Sequence, residues 1–121
     1  MKIIYFFQSL KNACRGIACV FKSEQNFRIQ IVAAVLVVGG IIYFPLRNWE
    51  VIVVILLITM VLTMELLNSA LERFADLLKP RLYDYVSVIK DIMAGAVFIT
   101  SIGALFVGVI IFLPHFMNIL K

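Results

Sequence analysis

Three long apolar stretches without a charged residue constrain the fold of this chain more than any other feature. They cover residues 29–46, 51–64 and 92–113, which are 18, 14 and 22 residues long. A helix needs roughly 20 residues to cross the ~30 Å hydrocarbon core of a bilayer. The second stretch reaches that length only if its helix continues past Glu65. A helix over 51–78 would be about 42 Å long and would project beyond one membrane face.

The composition agrees with a membrane protein. Hydrophobic residues make up 64% and charged residues 15% of the 121 residues, whereas soluble domains are nearer one half and one quarter. We therefore predict one all-α integral membrane domain over 1–121, with an N-terminal amphipathic interfacial helix and three transmembrane helices. The net charge of +4 is spread along the chain, so no nucleic-acid partner is predicted. Cys14 and Cys19 match no metal or redox spacing.

The N-terminal segment, residues 1–22, has a different pattern from the three spans. On a helical wheel its polar residues occupy one face about 100° wide. They are Gln8, Lys11, Asn12, Arg15 and Lys22. A narrow basic stripe on an otherwise apolar helix is typical of a helix lying in the membrane interface. Packing of this helix on the protein's own bundle is the alternative.

The basic residues predict the orientation of the spans. Five precede the first span, four lie between the second and third, one lies in the 44–49 turn, and one ends the chain. Cytoplasmic segments carry the excess of lysine and arginine, so the N-terminus and residues 65–91 are predicted to be cytoplasmic and the C-terminus outside. Pro80 is predicted to end the second helix. His115, beside Pro114, is predicted to be incidental.

A polar stripe continues directly from the second apolar stretch. Its members are Glu65, Asn68, Glu72 and Asp76. Their spacing places them within about 80° of one another on a helix. Ionisable groups at membrane depth are costly and indicate a functional site by default. Two alternatives stay open: a merely solvated helix face, and a small ion or proton transporter that uses the same acids.

Further polar residues lie at the same predicted level. Glu24 precedes the first span, and Lys90 and Asp91 precede the third. Neighbouring carboxylates repel one another unless a cation joins them. Mg²⁺ takes oxygen ligands and often shares them with nucleotide phosphates. Such a group at a membrane surface fits phosphoryl transfer, although the chain has no phosphate-binding loop and no protein-kinase catalytic loop.

Three segments together resemble a known family. ELLNSALE (65–72) followed by Asp76, SEQNFRIQ (23–30) and IKDIMAGAV (89–97) are similar to the signature of bacterial diacylglycerol kinases and undecaprenol kinases. Order and spacing agree over nearly the whole chain. The resemblance implies a small kinase of the bacterial cytoplasmic membrane that transfers the γ-phosphoryl group of MgATP to a lipid hydroxyl. It also implies a homotrimer with sites between neighbouring subunits.

The resemblance also implies roles for individual residues. By position, Glu65 would be the general base and Asn68 would support it, while Glu24 and Glu72 would hold the Mg²⁺ on the ATP phosphates. The nucleotide-binding candidates are Asn12, Glu24, Glu72, Asp76, Lys90 and Asp91. Asp76 as a solvated or capping acid, and Lys90 as a snorkelling interfacial lysine, are the alternatives. No specific role is predicted for Arg28 or Gln30.

The N-terminal segment favours one branch of the family. Its Lys-x-Ala-x-x-Gly-Ile run, at residues 11–17, looks more like the undecaprenol kinases. The diacylglycerol branch often has an aromatic residue where this chain has Asn12. Undecaprenol is therefore the predicted lipid, and diacylglycerol is the alternative.

The third span carries a row of small residues. Ala96, Thr100, Ala104 and Gly108 recur every four residues. Such rows allow membrane helices to approach closely, so this face is predicted to pack against another helix.

Overall fold

The computed structural model describes residues 2–78, 81 and 83–121, and all regular structure within them is helical. The four helices are α1 (Lys2–Ser23), α2 (Gln25–Tyr43), α3 (Asn48–Leu77) and α4 (Tyr83–Leu120). Of these, α2, α3 and α4 are long and apolar enough to cross a membrane. The predicted fold class, an N-terminal helix followed by three spans, is confirmed.

The corner between α1 and α2 consists of one residue. Glu24 has extended backbone angles, with φ −115° and ψ 114°. Arg28, in the first turn of α2, donates hydrogen bonds from Nη1 to the carbonyl oxygens of Phe21 and Lys22, both at 2.9 Å. Those carbonyls have no partner within α1, so the arginine closes the helix end. Arg28 therefore has a structural role, and it fixes the corner that carries Glu24.

The turn between α2 and α3 covers residues 44–47. Glu50 caps the start of α3, because its Oε1 accepts a hydrogen bond of 3.0 Å from the backbone N–H of Arg47. His115 of α4 places Nε2 3.3 Å from the same oxygen. His115 was predicted to be incidental to the chemistry, and it lies far from Glu65. It has a role in the fold, since this contact joins the far part of α4 to the start of α3. We call this the turn end of the bundle.

The helix α3 is too long to lie entirely within the hydrocarbon core of a bilayer. Its 30 residues span about 45 Å, which exceeds the ~30 Å hydrocarbon core by roughly ten residues. The helix ends at Leu77. The predicted stop at Pro80 lies outside the described residues, as do Lys79 and Leu82. The last helix, α4, begins nine residues before the predicted span of 92–113 and continues through Pro114 to Leu120.

The helix α3 is the centre of the fold and contacts each of the other three helices. Few side chains are buried in the single chain, and most large apolar residues are exposed. That is the expected surface of a protein whose solvent is lipid. Among the described residues the buried polar ones are Glu50, Glu65 and Ser69, all on α3. We call the end of the bundle that carries Glu65 the acid end.

Candidate active site

Glu65 is a buried carboxylate at the end of the uncharged part of α3. It lies 17 residues after the start of α3, about 26 Å along the helix axis. Only 3% of the residue is exposed. Gln30 of α2 donates a hydrogen bond of 3.3 Å from Nε2 to Oε2 of Glu65. The last apolar turn of α3 therefore ends in an acid that the neighbouring helix orients.

Ser69 connects the α1–α2 corner to the same face of α3. It is 1% exposed, and its Oγ donates a hydrogen bond of 3.4 Å to Oε1 of Glu24. This serine is not among the site residues predicted from the sequence. The sequence did carry one signal for it: Ser69 lies four residues after Glu65 and therefore on the same helix face. The corner residue Glu24 is thereby brought over the turn of α3 that follows Glu65.

Asn68 and Glu72 extend the site by one further turn. Asn68 donates a hydrogen bond of 3.4 Å from Nδ2 to Oε1 of Glu72. Glu24 is hydrogen-bonded to Ser69 and Glu72 to Asn68, on the two turns of α3 that follow Glu65, so three carboxylates share one region. Such a group is repulsive unless a cation joins it. The arrangement is therefore suited to binding a cation.

Asp76 and Lys90 close the acid end between α3 and α4. Lys90 Nζ lies 2.7 Å from Asp76 Oδ1, and the two side chains are 29% and 57% exposed. An ion pair this exposed contributes little to stability. It instead holds a cationic group beside the acidic face of α3. Asp91, the next residue of α4, is exposed.

The single chain does not bring Asn12 to the other candidates. It lies on the exposed surface of α1, twelve residues before Glu24, which is about 18 Å along the helix. Within the described ranges it makes no hydrogen bond to the acid end.

The donor atoms at the acid end fit Mg²⁺ held together with phosphates. The described residues contain no group of three His, Cys, Asp or Glu side chains that could hold a metal by themselves. Mg²⁺ usually takes only one or two carboxylates and completes its shell with water and phosphate oxygens. Two carboxylates of the acid end are available for such a role: Glu24, which is hydrogen-bonded to Ser69, and Glu72, which is hydrogen-bonded to Asn68. Asn68 adds an oxygen, Oδ1, that is buried without a hydrogen-bond partner.

Comparison with known proteins identifies the family. The sequence model described as prokaryotic diacylglycerol kinase matches residues 11–112. The chain belongs to that family. It is also 35% identical to the undecaprenol kinase of Bacillus subtilis, over 90% of this chain and 89% of the relative. The family predicted from the sequence is therefore confirmed, and one of the relatives is an undecaprenol kinase.

Two further relatives carry the other name of the family. The diacylglycerol kinase of Synechocystis is 33% identical over 93% of this chain and 65% of the relative. The diacylglycerol kinase of Haemophilus influenzae is 26% identical over 91% of this chain and 95% of the relative. The protein is thus a membrane lipid kinase with ATP as its co-substrate, and the family assignment displaces the transporter hypothesis.

Proposed function

We propose that this kinase transfers the γ-phosphoryl group of MgATP to the hydroxyl of undecaprenol, giving undecaprenyl phosphate. The observation that carries the proposal is the buried Glu65 at the end of the uncharged part of α3, with Gln30 on its carboxylate. A lipid hydroxyl can reach that depth from the bilayer, and phosphates can reach the projecting turns of α3 from water. The undecaprenol kinase among the relatives supports the choice of lipid.

Glu65 acts as the general base in this proposal. The hydroxyl oxygen of the lipid bonds to the γ-phosphorus, the bond from that phosphorus to the ADP oxygen breaks, and the hydroxyl proton passes to the Glu65 carboxylate. In a loose transition state the proton leaves late, so catalysis depends mainly on positioning. The hydrogen bond from Gln30 supplies part of that positioning.

The remaining acids bind the metal and the nucleotide. Glu24 and Glu72 would hold Mg²⁺, which would neutralise charge on the phosphates. Asn68 orients Glu72 through its 3.4 Å hydrogen bond. The nucleotide contacts come from Asn12, Glu24, Glu72, Asp76, Lys90 and Asp91. The side chain of Lys90 is partly exposed, and in this proposal its ammonium group contacts a phosphate oxygen.

The proposed assembly is a homotrimer in the bacterial cytoplasmic membrane. The N-terminus and the acid end face the cytoplasm and the C-terminus faces outside. The reason is that the N-terminal segment and the segment between the second and third spans carry most of the basic residues, as cytoplasmic segments do. Sites between subunits are supported by Asn12, which is far from the acids of its own chain. A neighbouring α1 would bring the equivalent asparagine to them. The extensive exposed apolar surface supports burial against lipid and partner subunits.

Diacylglycerol is the second candidate substrate, giving phosphatidic acid. The family description and two relatives carry the name diacylglycerol kinase. The chemistry at Glu65 is the same for either lipid, because both present a hydroxyl at the membrane surface.

Phosphate transfer from labelled ATP tests the proposal. Purified protein in mixed micelles with Mg²⁺ is offered undecaprenol and diacylglycerol side by side, with Glu65→Gln as the control. We expect transfer by the wild-type protein and none by Glu65→Gln. The wild-type protein should phosphorylate undecaprenol faster than diacylglycerol. A faster reaction with diacylglycerol would move the protein to the other branch. Transfer to neither lipid, by folded protein that binds ATP, would overturn the proposed substrates.

A further inference from the structure

Arg73 of α3 contacts the last turn of α1 with both branches of its guanidinium group. Its Nη2 donates a hydrogen bond of 2.6 Å to Oγ of Ser23, and its Nη1 donates one of 3.4 Å to Sγ of Cys19. The two acceptors are four residues apart and therefore lie on one face of α1. The hydroxyl of Ser23 donates to the carbonyl oxygen of Cys19 at 2.9 Å, so its lone pairs are left to accept from the arginine.

Apolar packing contributes little to the contact between α1 and α3. Val20 is the one buried residue among those described in α1, and the large apolar side chains of this helix, from Ile3 to Phe21, are exposed. Such side chains suit a membrane interface, which holds a helix at a certain depth but not beside a particular neighbour. The position of α1 against α3 therefore depends on polar contacts, and Arg73 supplies two of them.

The same contact lies beside the proposed metal ligands. Glu24 directly follows Ser23, and its Oε1 accepts a hydrogen bond of 3.4 Å from Oγ of Ser69. The α1–α2 corner thus meets α3 on two successive turns, first at Ser69 and then at Arg73. Glu72 lies between these two residues in the sequence. How firmly the corner is held on α3 therefore determines how firmly Glu24 is held relative to Glu72.

We propose that Arg73 is a positioning residue for the metal site, because its two hydrogen bonds dock the α1–α2 corner on α3. This inference rests on the proposed function, in which Glu24 and Glu72 would hold Mg²⁺ together with the ATP phosphates. Mg²⁺ requires near-ideal octahedral geometry, so a carboxylate on a loosely held corner is a poor ligand. Groups that orient metal ligands typically affect metal affinity or activity by roughly 10- to 100-fold.

The variant Arg73→Lys separates the geometry of the arginine from its charge. Arginine presents a rigid, planar fork of donors, whereas lysine is a point charge on a flexible stem. The lysine variant therefore keeps the charge beside Glu72 and loses the paired contact with α1. Ser23→Ala does the reverse, since it removes one acceptor and leaves the guanidinium in place. Lys22→Gln is the matched control, because it removes a positive charge from an exposed side chain in the last turn of α1.

Hydrogen exchange of the full-length protein in micelles, without Mg²⁺ or ATP, measures the docking itself. Amides exchange when local structure opens, so a loosely held corner exchanges faster. We expect residues 16–27 to exchange about fivefold faster in Arg73→Lys and in Ser23→Ala, the effect of losing one hydrogen bond. Lys22→Gln should exchange as wild type does. The double variant should exchange no faster than Arg73→Lys, because the two residues act as a pair.

Titrations of ATP binding with Mg²⁺ measure the effect on the metal site. We expect the Mg²⁺ concentration for half-maximal ATP affinity to rise roughly fivefold or more in Arg73→Lys and Ser23→Ala. It should stay at the wild-type value in Lys22→Gln, and ATP affinity without Mg²⁺ should be the same in all four proteins. A residue with a purely structural role would leave the Mg²⁺ requirement unchanged. No lipid substrate is added, so the identity of the lipid does not affect either measurement.

Three results would overturn the inference. Wild-type exchange and a wild-type Mg²⁺ requirement in Arg73→Lys would show that only the charge of this residue matters. Faster exchange with an unchanged Mg²⁺ requirement would leave Arg73 with a structural role alone. A higher Mg²⁺ requirement with unchanged exchange would place its action on the nucleotide and not on the corner. ATP binding by wild type that does not respond to Mg²⁺ is distinguishable from all three, and it would overturn the proposed metal ligands together with this inference.

Discussion

Glu50 and Glu65 are buried on the same helix, 15 residues apart, which is about 22 Å along α3. Each is contacted by a different neighbour. Glu65 accepts from Gln30 of α2 at the acid end, and Glu50 lies against His115 of α4 at the turn end. The surroundings give them different roles. Glu50 closes a helix start and a helix–helix contact, whereas Glu65 lies at the acid end, on the helix face that also carries Ser69 and Glu72.

The first prediction compares the same neutral substitution at both acids. Glu65→Gln should lower kcat by about 100- to 10,000-fold, the usual effect of losing a general base, without lowering the midpoint of thermal unfolding. Glu50→Gln should keep kcat near that of wild type and lower the midpoint, because its contacts with Arg47 and His115 weaken. Phosphate transfer and thermal unfolding in the same micelles measure both effects. Near-normal turnover by Glu65→Gln would rule out its role as base.

The sequence predicted the spans and most of the acid end, because both depend on local periodicity. The stripe from Glu65 to Asp76 follows from helical spacing alone. The continuation of α3 past Glu65 follows from the helix length that is needed to cross the membrane core. Contacts between distant segments are different. The hydrogen bond from Ser69 to Glu24 depends on where the α1–α2 corner falls relative to α3.

His115 shows the same limit at the turn end. Its contact with Glu50 joins residues 65 positions apart, and nothing in the sequence near either residue signals that pairing. Gln30 could be recognised as part of a motif, but its role depends on the neighbour it meets. That neighbour is Glu65, which lies 35 residues away on α3, so the pairing depends on how α2 and α3 pack.

A second prediction concerns the contact between Gly40 of α2 and the side chain of Phe112 on α4. A Cβ atom added at Gly40 would lie 3.0 Å from Cε1 of Phe112, whereas one at Gly39 meets nothing within 4 Å. Gly40→Val should therefore push the ring away and destabilise the protein by about 1–3 kcal/mol, as overpacking does. Gly39→Val is the matched control and should be much less destabilising. Thermal unfolding of both variants measures the difference, and equal midpoints would contradict the contact.

Ser69 is predicted to be a positioning residue for Glu24. Ser69→Ala removes the hydroxyl that Glu24 accepts from, so Glu24 is held less firmly towards the metal. We expect kcat/KM to fall about fivefold, the equivalent of about 1 kcal/mol for one hydrogen bond. The Mg²⁺ concentration for half-maximal activity should rise as well, which a purely structural defect would not cause. Ser87→Ala, at an exposed position of α4, is the control and should change neither value.

The last prediction tests Glu72 as a metal ligand. Mg²⁺ bridges protein carboxylates and ATP phosphates, so wild-type affinity for ATP should rise when Mg²⁺ is added. Glu72→Ala removes one carboxylate and also the partner of Asn68. We expect the variant to lose roughly tenfold or more of its ATP affinity in excess Mg²⁺ and to bind ATP without Mg²⁺ about as wild type does. Nucleotide titrations with and without the metal measure both affinities.

Asp84→Asn is the control for that titration, because it also removes a negative charge near the acid end. Asp84 is exposed in the first turn of α4 and has no proposed role in metal binding. A loss of Mg²⁺-dependent affinity in both variants would indicate a general effect of charge, since any acid near the phosphates would then contribute. Unchanged affinity of Glu72→Ala in excess Mg²⁺ would exclude Glu72 as a ligand. Loss in Glu72→Ala alone would assign the metal to Glu72, about two turns after the proposed base on α3.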